Sequence, residues 1–184
     1  MTLTLHSDLA YSITTKRVFD SAQLVDKLRE CVKGWLDMER VNRRKHRDRG
    51  VIPELVRHLL RHHQYSSFEE FYLSTTRGFY SDESATKAVE LKDDPKQFFE
   101  NASIRIKEEV ERSEAVLSPQ SWNLVREATE KSLWKGRLEW IADSSGQFFL
   151  DHVVCINILS LPSFIGIYER KRFWKPLLYV YIIF

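Results

Sequence analysis

The sequence is poor in the residues that make turns and cross-links. Its 184 residues include 6 glycines, 5 prolines and 2 cysteines. A fold of many short strands needs more turn residues than this, so the composition favours helices. Cys31 and Cys155 lie far apart and belong to no CxxC motif, which predicts neither a disulfide framework nor a zinc site. An intracellular, reducing environment is therefore expected.

A strong charge of one sign is also missing. The formal net charge is +2, from 28 Lys and Arg residues and 26 Asp and Glu residues. Such a balance gives no general attraction to nucleic acid or to an anionic membrane. The first twenty residues lack a basic start followed by an apolar run, so we expect no secretory signal. With 43% hydrophobic and 29% charged residues, the composition is that of a folded globular protein.

Apolar residues recur at helical spacing along most of the chain, which predicts an all-α fold. The first helix, 20–42, carries Leu24, Val25, Leu28, Val32, Trp35 and Leu36 on one face. A second helix is predicted near Pro53, and a third starts with the capping box Ser67–Glu70 and continues towards Leu91. Two further helices are predicted over 95–117 and 119–141. Short connections between about five helices predict an antiparallel helical bundle.

The last two of these helices are expected to pack together. The residues predicted to be buried between them are Phe98, Phe99, Ile106, Val110, Trp122, Val125 and Leu133. Glu108 and Arg112 are four residues apart, which predicts an ion pair on the exposed side.

Three sets of side chains have spacings that could support chemistry, and each has a simpler interpretation. His58 and His62 could chelate a metal from one helix face, but no third ligand is indicated and the adjacent arginines would repel a cation. Glu69–Glu70 and Glu108–Glu109 are predicted to lie on exposed, charged helix faces. The sequence therefore predicts no enzyme, no catalytic or metal-binding residues, no cofactor and no small-molecule substrate.

Residues 40–49 contain six Arg and Lys residues, which could contact phosphates. No aromatic residues are interleaved for base stacking, so a solvated connection between helices is the favoured interpretation. A nucleic-acid-binding module using loop 40–49 stays open as an alternative function.

The sequence changes character near its end. Residues 143–184 form an atypical hydrophobic tail, separated in our prediction from an N-terminal extension, 1–19, and a helical region, 20–142. The longest apolar run, Val153 to Tyr168, is shorter than the ~20 residues that span a bilayer. Membrane association through this tail is a second alternative.

Several stretches resemble the cullin repeats of the cullin family. Ser67–Ser84, SFEEFYLSTTRGFYSDES, is similar to the family segment SFE..FL..T..FY..ES. Ser103–Arg112 resembles its RL.EE..R helix, and Glu127–Leu138 its CE..LI..HL helix. The connector from Met38–Arg40 to Val51–Leu55 also follows the family pattern. The resemblance covers about 20–141 and indicates a fragment of the N-terminal cullin-repeat region, ending before the cullin-homology domain.

The resemblance implies a non-enzymatic scaffold. Cullins form the stalk of cullin-RING E3 ubiquitin ligases, so the implied role is ubiquitin ligase binding in ubiquitin-dependent protein catabolism. The implied partners are adaptor or substrate-receptor subunits, rather than nucleic acid or membrane. The implied location is the cytoplasm and nucleus.

The hydrophobic tail generates a first prediction. Because its apolar residues follow no amphipathic period, truncation after Ser145 should raise solubility and leave cooperative melting intact. Sedimentation and thermal melting followed by circular dichroism measure both properties. A truncated chain that unfolds would show that the tail is part of the core.

Overall fold

The computed structural model describes Ile13 and residues 21–144, and this part of the chain contains six α-helices and no strand. They are α1 (Ala22–Asn42), α2 (Val51–Arg61), α3 (Tyr65–Glu90), α4 (Pro95–Val116), α5 (Pro119–Trp134) and α6 (Leu138–Ser144). The all-α prediction is confirmed. The predicted hydrophobic tail lies outside the described residues from residue 145 onward, and the proposed domain boundaries stay predictions.

Two predicted helices begin and end close to where the sequence placed them. Helix α1 ends because Arg43 adopts a left-handed conformation, with φ 52°. Helix α4 begins at Pro95, as predicted for the helix over 95–117, and the Asp94 carboxylate accepts a hydrogen bond from the backbone N–H of Gln97 at 2.9 Å. This bond satisfies one of the amide groups that every helix leaves unpaired at its start.

The predicted capping box at the start of α3 is wrong. The helix begins at Tyr65, so Ser67 already lies inside the first turn. The Ser67 hydroxyl accepts a hydrogen bond from Arg29 at 3.2 Å, and Glu70 pairs with Arg77 at 3.1 Å. The helix then continues through Gly78 to Glu90, since a single glycine inside a helix costs only about 1 kcal/mol and α3 contains no proline.

The single helix predicted over 119–141 is two helices. Helix α5 ends at Trp134, and Gly136 adopts φ +69° before α6 begins at Leu138. Glycine populates this left-handed region without the steric cost of a side chain, so it commonly terminates a helix.

The described residues group into two compact units, 21–79 with 110–125 and 80–109 with 126–144. We call them unit 1 and unit 2. The apolar core of unit 1 consists of Val32, Trp35, Leu36, Ile52, Val56, Leu59, Tyr65, Phe68, Tyr72, Leu73, Val116, Leu117 and Val125. The apolar core of unit 2 consists of Tyr80, Phe98, Phe99, Ala102, Ala128, Leu133, Trp134, Leu138 and Ile141.

The set of residues predicted to be buried between α4 and the next helix is only partly correct. Phe98, Phe99, Val125 and Leu133 are buried as predicted, but Ile106, Val110 and Trp122 are only half-buried. The positions that are buried instead in the second half of α4 are mostly polar: Arg105, Glu109, Arg112 and Ser113. A pattern of apolar residues could not reveal this face, because its side chains are hydrophilic. In α1, Leu24 is likewise exposed rather than buried.

Aromatic contacts hold α4 against α5 and α6 within unit 2. The Phe99 ring stacks on Trp134 with centroids 5.2 Å apart. Phe98 meets Trp134 and Trp140 edge to face, at 6.3 Å and 5.3 Å. Such pairs add to the free energy gained by burying their large apolar area.

This cluster generates a stability prediction. Phe99→Ala should lower the free energy of unfolding by about 3 to 5 kcal/mol, since it removes a ring that is 1% exposed and leaves a cavity. Ile104→Ala is the matched control on the same helix, because Ile104 is 47% exposed, and it should change stability by less than about 0.5 kcal/mol. Urea unfolding followed by circular dichroism measures both. Equal effects would contradict the packing described for α4.

Candidate interaction site

Helix α1 has exposed apolar side chains along one edge of the face that packs into the core of unit 1. Leu24, Cys31 and Met38 are all exposed, Leu24 to 48% and Met38 to 39%. They are seven residues apart, close to two helical turns, so they lie along one face. We call these three residues the docking stripe. Exposed apolar residues aligned on one helix can contact the apolar face of a partner.

The neighbouring core face of α1 carries a buried carboxylate. Glu39 is 2% exposed and lies one turn beyond Trp35, whose indole N–H donates a hydrogen bond to Glu39 Oε1 at 3.0 Å. Glu39 Oε2 accepts a hydrogen bond from Arg112 Nε on α4 at 3.2 Å. These bonds connect two helices of unit 1 through a charge that is removed from water.

The same carboxylate holds the connection that follows α1. The backbone N–H of His46 donates to Glu39 Oε1 at 2.8 Å, and Arg49 NH1 lies 3.7 Å from Oε2. A second donor of Arg49 reaches the backbone carbonyl of Arg112 at 3.2 Å. Residues 43–49, which we call the basic loop, are therefore attached to the body of unit 1 at two points.

Arg40, next to Glu39, is fully buried as well. One of its nitrogens donates to the Thr76 hydroxyl on α3 at 2.7 Å. Its guanidinium group also lies over the Tyr72 and Phe79 rings, at 5.9 Å and 5.3 Å from the centroids. Arginine suits this position because its planar group both donates hydrogen bonds and stacks on aromatic faces.

A chain of hydroxyl groups connects α3 to α5 in unit 1. The Ser121 hydroxyl donates to Glu69 Oε1 at 2.5 Å, so its oxygen accepts the proton of the Tyr65 hydroxyl, 2.5 Å away. The backbone N–H of Ser118 donates to the Tyr65 oxygen at 3.2 Å. Burial raises the pKa of Tyr65, which keeps the phenol protonated and able to donate.

Unit 2 contains its own polar cluster around Arg105. This guanidinium group binds Glu83 and Glu108, each with a closest distance of 2.9 Å, and the Tyr80 hydroxyl donates to Glu109 at 2.7 Å. Burial opposes the charge of Arg105, but Tyr80 and the Glu83 carboxylate outweigh it and raise the pKa of Arg105. Glu108 binds Arg105 and Arg112 binds Glu39, and the Glu108–Arg112 pair stays a prediction.

The other residues singled out in the sequence have mixed outcomes. The rings of His58 and His62 are 4.6 Å apart, and burial, His62 and Arg61 lower the pKa of His58. No cluster of three potential metal ligands occurs among the described residues. Glu109 is fully buried, and Glu69 and Glu108 are half-buried, so the prediction that both carboxylate pairs are exposed is correct only for Glu70.

The basic run 40–49 is not one solvated loop. Arg40 is buried in the core of unit 1 and Arg49 is mostly buried against Glu39, whereas Arg43, Arg44, Lys45 and Arg47 are exposed. The spacing of residues along α1 indicates that Arg40 differs from the exposed cations. Glu39 and Arg40 extend the buried positions 32, 35 and 36 by one helical turn, which places them on the core face.

The buried carboxylate generates a third prediction. Glu39→Gln should lower the free energy of unfolding by about 3 to 5 kcal/mol, because it removes the negative charge that faces Arg112 and Arg49 in the interior. Asp37→Asn is the matched control, since Asp37 forms an exposed ion pair with Lys33 at 2.6 Å and should cost less than about 1 kcal/mol. Chemical denaturation compares the two. A Glu39→Gln protein as stable as the Asp37→Asn protein would show that the network does not stabilise the fold.

Comparison with known protein families matches residues 3–170 to the cullin α-solenoid domain. No curated protein and no solved structure matches the chain. The matched range includes the stretches 67–84, 103–112 and 127–138 on which the resemblance rested, and it extends on both sides of 20–141. No helix in the described part of the chain is long and apolar enough to cross a membrane. The helical domain is a scaffold of the kind that acts through protein–protein interaction, and the chain belongs to the cullin family.

Proposed function

We propose that this chain is a scaffold segment of a cullin-RING ubiquitin ligase and that the docking stripe of α1 receives an adaptor subunit. The observation that carries the proposal is the exposed row Leu24, Cys31 and Met38 in a chain of the cullin family. The role in ubiquitin-dependent protein catabolism, and a location in the cytoplasm and nucleus, follow from this proposal.

The geometry of α1 supports a docking role. The buried residues Trp35, Leu36, Glu39 and Arg40 fix the rotation of the helix in unit 1, so the docking stripe is held exposed at the edge of the core face. A preorganised apolar row loses little conformational entropy when a partner covers it. Covering exposed Leu and Met side chains is favourable by roughly 25 cal/mol for each Å² removed from water.

The test uses the purified full chain and a panel of purified cullin-RING adaptor subunits, with isothermal titration calorimetry as the measurement. We expect one adaptor class to bind, and the double variant Leu24→Asp/Met38→Asp to weaken this binding by about tenfold or more, since each charge would be desolvated at the interface. Adaptor binding by the unmodified chain that this variant does not change would contradict docking on α1.

The matched control is Val89→Asp/Ile104→Asp. It makes the same change in charge at two exposed apolar residues of unit 2, which are 75% and 47% exposed, and it should leave adaptor affinity unchanged within about twofold. Failure of every adaptor to bind the unmodified chain at micromolar concentration would contradict the ligase-scaffold proposal itself.

A further inference from the structure

The basic loop, α2 and the two residues after it concentrate positive charge in a nearly neutral protein. Residues 43–63 contain seven Arg and Lys residues against two Asp and Glu residues, a net charge of +5, whereas the entire chain carries +2. The remainder of the chain is therefore net negative. Positive charge at this density attracts anionic partners over distances of about 10 Å at moderate salt.

The cations of the basic loop are presented by a connection with defined structure. Glu39 holds the backbone of His46, and Arg49 binds both Glu39 and the Arg112 carbonyl. Backbone hydrogen bonds close further turns, from Arg49 N–H to the His46 carbonyl at 3.1 Å and from Val51 N–H to the Asp48 carbonyl at 3.0 Å. Because the backbone is already ordered, a ligand does not have to supply the free energy of ordering it.

Exposed aliphatic side chains stand at both ends of this loop. Val41, two residues before Arg43, is 69% exposed, and Val51, two residues after Arg49, is 63% exposed. Exposed valines contribute nothing to phosphate binding, but they favour a partner that brings aliphatic side chains of its own. The combination of cations and aliphatic residues therefore selects a partner that is both acidic and apolar.

The chemistry of the loop also favours carboxylates over a nucleic acid. Residues 41–63 contain no Phe, Tyr or Trp, so they offer no aromatic surface on which bases stack. Arg guanidinium groups match the geometry of carboxylates, and Arg47 already binds the Asp48 carboxylate at 3.2 Å.

We propose that residues 41–51 form a docking site for an acidic polypeptide segment that carries aliphatic side chains. The exposed cations Arg44, Lys45 and Arg47 bind its carboxylates, and Val41 and Val51 contact its aliphatic groups. This site is separate from the docking stripe, and the proposal does not depend on the identity of any adaptor.

The test measures binding of the full chain to a short fluorescein-labelled peptide of Asp, Glu and Leu residues, by fluorescence anisotropy at several salt concentrations. We expect saturable binding that weakens as salt rises. Arg44→Glu/Lys45→Glu should weaken it about tenfold or more, because attraction becomes repulsion at two contacts. Val41→Ser/Val51→Ser, or replacement of the peptide leucines by serine, should weaken it about threefold or more.

The matched control is Lys107→Glu/Lys135→Glu, which makes the same charge change at two exposed lysines of unit 2 and should alter affinity by less than about twofold. Thermal melting establishes that each variant folds. Leu24→Asp/Met38→Asp should leave peptide binding intact, which distinguishes this site from the adaptor site.

Three results would overturn the proposal. The first is no saturable binding of the acidic peptide at low salt. The second is an equal loss of binding in the Lys107→Glu/Lys135→Glu control, which would mean that only net charge matters. The third is tighter binding of single-stranded or duplex DNA than of the peptide, abolished by Arg44→Glu/Lys45→Glu, which would assign the loop to nucleic acid.

Discussion

The arrangement of unit 1 depends on one buried carboxylate. Glu39 accepts hydrogen bonds from Trp35 on its own helix, from Arg112 on α4 and from the backbone of His46. A charge taken out of water is tolerated only where its lone pairs are satisfied by well-placed donors. The donors come from three parts of the chain, so any shift of α1 along or around its axis would break several bonds together. Glu39 therefore determines the rotation of α1 and the path of the basic loop.

Buried polar groups also fix how helices pack elsewhere in the described residues. In unit 2 the Tyr80 hydroxyl binds Glu109, and the Ser84 hydroxyl donates to the Leu133 carbonyl at 2.8 Å. Apolar contacts stabilise the folded state but tolerate small displacements of one helix against another. Hydrogen bonds, by contrast, have narrow requirements of distance and angle. In these helices, burial of rings and aliphatic groups supports stability, and the buried polar bonds specify which turn of one helix faces which turn of the next.

A scaffold acts through the surfaces that its core leaves exposed. In α1 the buried side is occupied by Trp35, Leu36, Glu39 and Arg40, and Leu24, Cys31 and Met38 are exposed along its edge. Membership of the cullin family gives that exposed row its proposed partner. The basic loop is a second exposed feature of the same unit, and its attachment to Glu39 means that the residues that stabilise the fold also position the surface.

The sequence by itself determined the helical class, most helix boundaries and the family. Periodicity places Val32, Trp35 and Leu36 in a core, Asp94–Pro95 starts a helix through local chemistry, and the matching stretches follow from residue order alone. Only the tertiary structure decided that Arg105, Glu109 and Arg112 face inward while Ile106 is half-buried. It also decided that Arg40 and Arg49, unlike the exposed cations between them, bind residues of α3 and α4. The physical reason is that a charged side chain is buried only where distant parts of the chain supply its partners. Helical spacing reports which residues share a face, and it carries no information about partners that lie tens of residues away.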